Sequence, residues 1–468
     1  MNGVEVKVKA SDLISWNRLD LGIKMALAES LSQEYQDTYY KEAYRSHIFA
    51  ITEGTLLENG NESKNSYDSF ESSFEETFSS IREHGFDDSK SKVPVALDGS
   101  IINGAHRVSS AAYLGDSVVI EQTKEKSKSY DYNFFLERGV DISKIELGVR
   151  KLTSYSKNIR VACLWPSAST HSDKLLKLLE GTVVYEKELE LGLNGVKNLV
   201  CQFYQGEPWL GTPSSGFSGS VGKAIPCYAK GGKTKVYWFE RNDRDLVELK
   251  EKFRSIIGTG KHSVHMTDDE YETRDISDLL LKDDGVEILN QLNMESSSSE
   301  ISNIFSFKAE VAKCMQKQDD FLVVGSLPLS LYNLRKADDI DYIHASSVDC
   351  TSAPHNEVMD SHNKYSGFFK YSVDELVKND RCWVKLWGVK LLTIELLKDF
   401  KANRGEQKDK IDLELIGTIG DRSFWKDTTN KCRVVTLRAR TKVKYSTAGF
   451  LKHIGLFNVV QKLRGKAR

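Results

Sequence analysis

Apolar positions along the chain fall into short clusters whose spacing predicts alternating helices and strands. Apolar and aromatic residues recur at helical spacing between residues 11 and 50, and "HIFAITEG" (47–54) then reads as a strand. "FESSFEETFSSIREHG" places Phe70, Phe74, Phe78 and Ile81 on one face and stops at Gly85, which predicts a helix with a glycine C-cap. "KVPVAL" and "SVVIEQ" predict short strands on either side of a turn and a small-residue helix. These elements make one compact unit ending near residue 150.

A second unit opens on "IRVACLWPS", with "KNLVCQFYQ" and "KTKVYWFE" predicted as further strands and "DRDLVELKEKFRSII" as an amphipathic helix. "GTPSSGFSGSVGK" predicts a loop, and the serine-rich "NMESSSSEISN" (293–303) predicts a linker. A helix, "FSFKAEVAKCM", and an apolar strand, "FLVVGS", follow. The expected architecture is a multidomain α/β (α+β) chain. Its predicted parts are 1–150, 151–298, 299–430 and a tail, 431–468.

Composition narrows the class. With 468 residues, 40% hydrophobic and 28% charged, the chain reads as a globular protein too long for one core. Net charge is -2, yet from Thr428 onward there are 11 Lys or Arg and no Asp or Glu. The tail "FLKHIGLFNVVQKLRGKAR" predicts a basic amphipathic helix suited to an anionic membrane surface, or one that packs inside the last domain. Seven scattered cysteines without a CxxC pair predict reduced thiols of a cytoplasmic, at most membrane-peripheral, protein. No stretch approaches 18 apolar residues, so neither an export signal nor a spanning helix is expected.

The first candidate site is the turn Asn103-Gly104-Ala105-His106-Arg107. A helix N-terminus carries unpaired N–H groups and partial positive charge, so it holds phosphates. Gly104 admits close approach, while His106 and Arg107 add a titratable donor and a fixed cationic fork. The plainer alternative is a helix start that hydrogen-bonds its own loop.

The stretch "SIREHGFDDSKSKVPVALDGSIINGAHRVSSAAYLGDSVV" resembles the ParB/sulfiredoxin superfamily over roughly residues 45 to 125. That resemblance implies nucleotide phosphates at the turn. Within it, Gly104, His106 and Arg107 match the free-serine-kinase branch, whose Asp and His stand where this chain has Asn103 and Ala105. Kinases of that branch use an upstream glutamate as base, and Glu53 and Glu58 both lie in the interval. Each is otherwise a solvated loop residue. The sulfiredoxin reaction needs a cysteine in the motif, and none is present.

The second candidate site is "FLVVGSLPLSLYNLRKADDIDYIHA". A strand ends in Gly325-Ser326, and Asp339-Ile340-Asp341 follows after twelve residues. Residues two apart in a strand share a face, so both carboxylates point the same way and can hold Mg²⁺ or Mn²⁺ against a nucleoside triphosphate. The pattern resembles the DNA polymerase β-like nucleotidyltransferase superfamily over about residues 304 to 420. It implies that Gly325 and Ser326 touch the triphosphate (ATP, CTP or another) and that Asp339 and Asp341 ligate the metal. A third carboxylate is expected among Asp349, Glu357, Asp360 and Asp412. Arg335 either neutralises phosphates or ends a helix in solvent. In the helical trailer of that family, Asp409 and Asp412 are structural more often than catalytic.

Other patterns are weaker. His262 and His265 beside Asp268 and Asp269 invite a metal, but Thr267 and Glu270 read as a capping box. "GGKTK" is no Walker loop, because position 227 is cysteine instead of glycine.

Together these readings predict a cytoplasmic nucleotide-dependent phosphoryl or nucleotidyl transferase acting on a small hydroxylated metabolite or sugar. The layout is similar to uncharacterised proteins of bacterial surface-polysaccharide clusters. The alternatives are a ParB-like DNA-binding protein or nuclease and a non-catalytic scaffold. Nucleic acid is the less favoured partner, since no basic patch lies outside the tail.

Overall fold

The computed structural model describes residues 5–33, 38–58, 63–241, 245–314, 316–349 and 353–419. The basic tail and its predicted helix lie outside them. The chain divides into two compact units, one from the amino terminus to Ser156 and one beginning at Lys157.

The first unit is built around a three-stranded sheet in which β3 (Ser117–Gln122) is central. β1 (Glu5–Lys9) pairs with it antiparallel and β2 (Val93–Val95) parallel. Among the described residues, α1 (Leu19–Ser32), α2 (Thr38–Ile51) and α3 (Tyr67–His84) precede the β2–β3 crossover, and α5 (Tyr132–Glu137) and α6 (Ile142–Tyr155) follow it. α3 starts at a Ser66–Ser69 capping box and stops at Gly85. Its Phe70, Phe74 and Phe78 pack on Leu27, Tyr44 and Ile48, as the spacing predicts. α4 (Ala105–Leu114) forms the crossover between the parallel strands β2 and β3. The segment 47–54 is no strand: His47 to Ile51 complete α2, and a turn follows. Its apolar residues suit either element, and Tyr40, Ala43, Tyr44 and Ile48 form a buried helical stripe that decides for the helix.

The second unit contains two sheets. The first has the order β5-β6-β4-β7, all antiparallel, from β4 (Ile159–Leu164), β5 (Val183–Leu189), β6 (Thr234–Glu240) and β7 (Val264–Met266). α7 (Ser172–Leu178) and α10 (Leu246–Ile257) cover the face bearing Tyr237 and Phe239. Trp238 points to the other face and donates to Ser277 of α11 (Glu270–Leu280) at 2.8 Å. The predicted strand at 197–205 is instead most of α8 (Leu193–Phe203), with α9 (Ser220–Cys227) after it. Val196, Leu199, Val200 and Phe203 are buried together, so helical period overrides the local apolar run.

α12 (Asp283–Gln291) leads directly towards α13 (Ser298–Lys313). The expected linker at 293–303 is therefore structured, with Met294, Ser297 and Ile301 buried. The second sheet has the order β10-β9-β8-β12-β11. Its strands are β8 (Phe321–Val323), β9 (Ile340–His344), β10 (Met359–Ser361), β11 (Trp383–Leu386) and β12 (Val389–Leu392). α14 (Leu327–Leu331), α15 (Val373–Lys378), α16 (Ile394–Arg404) and α17 (407–419) complete it. The fold is thus mixed α and β with several small sheets. Among the described residues no helix is long and apolar enough to cross a membrane.

Candidate active site

β8 and β9 run antiparallel, with Val323 opposite Tyr342 and the Val324 amide donating to the Asp341 carbonyl at 2.8 Å. Tyr342 packs on Phe307 of α13, ring centroids 5.0 Å apart. The strand alternates, so Asp341 and Ile343 face the other way, and Ile343 joins the cluster of Leu322, Leu329 and Phe400. Asp339 immediately precedes β9, two positions from Asp341.

The chain reverses at Gly325, whose φ of +70° lies in the left-handed region. A Cβ there would come within 2.1 Å of Asp341 Oδ2, so the missing side chain is the space this carboxylate occupies. Ser326 then stands at the N-cap position of α14, its side chain making no capping bond. β10 pairs parallel with β9 and sets Asp360 directly beside Asp341. Of the four candidates for a third carboxylate, Asp360 is the one paired with Asp341.

A histidine that the sequence reading did not single out completes the cluster. His362 Nε2 lies 2.9 Å from Asp341 Oδ1 and 3.9 Å from Asp360 Oδ2. Lys364 reaches Asp360 at 3.3 Å. Partial burial raises the Asp339 carboxyl above its ordinary range, and the charge of Asp341 adds to that, against a smaller opposing pull from His362.

Arg335 does not stand free near these acids. Its Nε and Nη2 hold Asp412 at 2.6 and 3.1 Å. Lys401 also reaches Asp412, at 2.7 Å, while Arg404 binds Asp409 at 2.7 Å. Burial works against the ionised forms of Asp409 and Asp412, but these cations outweigh it and hold both carboxyls below the usual range. The two acids tie α17 to α16 and to the loop before β9. Asp412 is thereby accounted for as a packing residue.

In the first unit the turn at 103–107 divides its work. Asn103 Oδ1 accepts from the Gly104 amide at 2.6 Å, and Gly104 has a φ of +90°. Arg107 turns back to donate to Ser91 and to the Lys92 carbonyl. A Cβ on Gly104 would come within 2.7 Å of its guanidinium. His106 faces inward, with Nε2 at 3.0 Å from Tyr44 Oη and its ring edge-on to Phe74. Burial, reinforced by Lys24 and Lys64, pushes its pKa well below the ordinary value, which works against its cationic form. The expected cationic pair at the helix start is therefore not displayed there. What remains for an anion is the start of α4, which has no side-chain cap.

Beneath the turn lies a buried group that motif reading missed. Arg18 grips Asp20 through two 2.8 Å bonds and donates to the Ile101 carbonyl at 2.6 Å, fixing the approach to the turn. Lys24 donates to Asp20 at 2.9 Å, and the fully buried His47 leaves Nε2 without a partner. Glu58 pairs with Lys64 at 3.0 Å and raises the neighbouring Tyr44 hydroxyl, after burial and Glu71. Glu53 stands 4.0 Å from Arg138 instead. Glu58 is thus the candidate base within electrostatic reach of the Tyr44–His106 pair.

His265 is held by Glu272 at 2.9 Å and His262 faces Cys227, so the two histidines do not converge. The cap of α11 is Asp269, which accepts from Tyr271 and Glu272, and not Thr267, whose hydroxyl bonds Thr273 and the Val161 amide. Among the described residues no three His, Cys, Asp or Glu side chains form a ready-made metal cage. The donors at β9 and β10 are carboxylate oxygens, the kind that hold Mg²⁺ in pairs while substrate phosphates complete its shell. No family model matches the chain, and neither does any curated protein or solved structure.

Proposed function

We propose that the second unit is a nucleotidyltransferase of the polymerase β type, and that it transfers a nucleotidyl group to a small hydroxylated metabolite or sugar. The observation that carries this reading is the fit of Asp341 into the space left by Gly325, with Asp360 paired beside it. A glycine–serine turn, two carboxylates on one face and a third on the next strand are the parts such chemistry needs. Asp339 and Asp341 would hold Mg²⁺ or Mn²⁺, which supplies charge neutralisation for the triphosphate. Ser326 and the backbone after Gly325 lie where the phosphates would approach. An acceptor hydroxyl oxygen bonds to the α-phosphorus as the bond to pyrophosphate breaks. Asp360, half-open to solvent, takes the hydroxyl proton.

The first unit supplies a second nucleotide-phosphate site at the start of α4, with Glu58, whose charge acts on Tyr44, as the base. A pair of such modules suits consecutive activation and transfer steps, as in surface-polysaccharide synthesis. The test is release of pyrophosphate from ATP, CTP, GTP and UTP in Mg²⁺, screened against pooled sugars and polyols. Asp339→Asn with Asp341→Asn is expected to abolish release and to leave the fold intact by circular dichroism. Undiminished release in that double variant would sink the assignment.

A further inference from the structure

We infer that His362 is the positioning residue of this site: it clamps Asp341 so that one carboxylate oxygen stays at the Gly325–Ser326 turn. The inference rests on the nucleotidyltransferase reading and names a residue that the reading does not use. Asp341 is held from two sides. Oδ1 lies 2.9 Å from His362 Nε2, and Oδ2 fills the space where a Gly325 side chain would be. An ionised carboxylate only accepts, so Nε2 is the donor to Asp341. His362 Nδ1 is buried and has no hydrogen-bond partner among the described residues, so Asp341 is the acceptor that holds the ring.

The ring itself is fixed. Its backbone amide donates to the Tyr342 carbonyl at 2.7 Å, and Tyr365 packs edge-on at 4.8 Å. His362 follows β10 directly, so the pairing that brings Asp360 beside Asp341 also delivers the clamp. Three like charges gather at Asp339, Asp341 and Asp360, and mutual repulsion would swing Asp341 out of the turn. The Nε2–H, 3.9 Å from Asp360 as well, opposes that movement. Partners that orient a metal-binding side chain typically carry about ten- to a hundredfold in metal affinity.

The experiment is Mn²⁺ binding to the full chain, followed by electron paramagnetic resonance, for His362→Leu, His362→Asn and His362→Gln. Gln places an N–H donor near the position of Nε2, whereas Asn keeps polarity but falls short of Asp341. Leu and Asn are expected to weaken Mn²⁺ binding about tenfold or more, with Gln restoring near-native affinity. Should Leu fail to fold, the contrast between Asn and Gln decides the matter. Native affinity in Leu or Asn overturns the inference. So does an equal loss in all three, since that marks a packing role. Asp339→Asn with Asp341→Asn separates the two levels. Mn²⁺ binding that ignores those acids brings down the nucleotidyltransferase reading as well, while binding that needs them but ignores His362 brings down the clamp alone.

Discussion

At the scale of single residues, the second unit's site depends on one missing side chain. Gly325 combines a φ of +70° with the approach of Asp341 Oδ2, so alanine is opposed twice, by backbone strain and by collision. Backbone strain of that kind costs about 1–3 kcal/mol. Gly325→Ala is therefore expected to lower the melting temperature by a few degrees and to cut pyrophosphate release about a hundredfold or more, because the carboxylate must move. A melting curve and a steady-state rate measured together check this, and a variant with native rate would contradict the role given to the turn. The Gly-Ser turn and the two acids were readable from spacing. His362 was not, since nothing in "DSHNKYS" shows that its ring returns to a strand some twenty residues earlier.

At the scale of elements, the pairing of α16 with α17 adds charge to apolar contact, since Ile416 packs in the cluster of Leu397 and Phe400. Asp412 joins Arg335, Lys401 and α17 in one buried network. Asp412→Ala leaves two cations facing each other and is expected to destabilise the second unit by roughly 2–3 kcal/mol. That is somewhat less than a wholly stripped buried charge would cost, because Asp409 still stands 3.5 Å from Lys401. Urea unfolding read by tryptophan fluorescence measures the change, and an unshifted midpoint would mean the network adds nothing. Strongly periodic elements such as α3 were legible in the sequence. Residues 47–54 and 197–205 were not, because short apolar runs fit a strand or a buried helix equally well and only tertiary burial chooses.

At the scale of the whole molecule, two buried histidines tie the first unit's stability to acid. Burial, aided by Lys24, holds His47 far below its ordinary pKa of 6.5, and burial with Lys24 and Lys64 does the same to His106. The unfolded chain binds those protons and the folded one does not. The stability of the first unit is therefore in place above pH 6.5 and lost as pH falls below it. The slope is about 1.4 kcal/mol per pH unit for each histidine. Hydrogen exchange in α2 and α4 is expected to accelerate between pH 7.5 and 5.5 after correction for intrinsic rates, and a flat profile would show that these histidines accept protons without unfolding.

The sequence by itself determined the local parts. Helices with a repeating apolar face, glycine stops, strands of alternating pattern and the spacing of Asp339 and Asp341 all follow from interactions within a few residues. Tertiary structure decided what those parts meet. The parallel pairing of β10 on β9 set Asp360 beside Asp341 and brought His362 to it, while Asp412 went to α16. Tertiary packing also turned His106 towards Tyr44 and drew Arg107 back to Ser91, so these two side chains are engaged away from the helix start. The reason is physical: strand register and helix docking join residues far apart in the chain, and the energy that fixes them comes from surfaces that no local stretch contains.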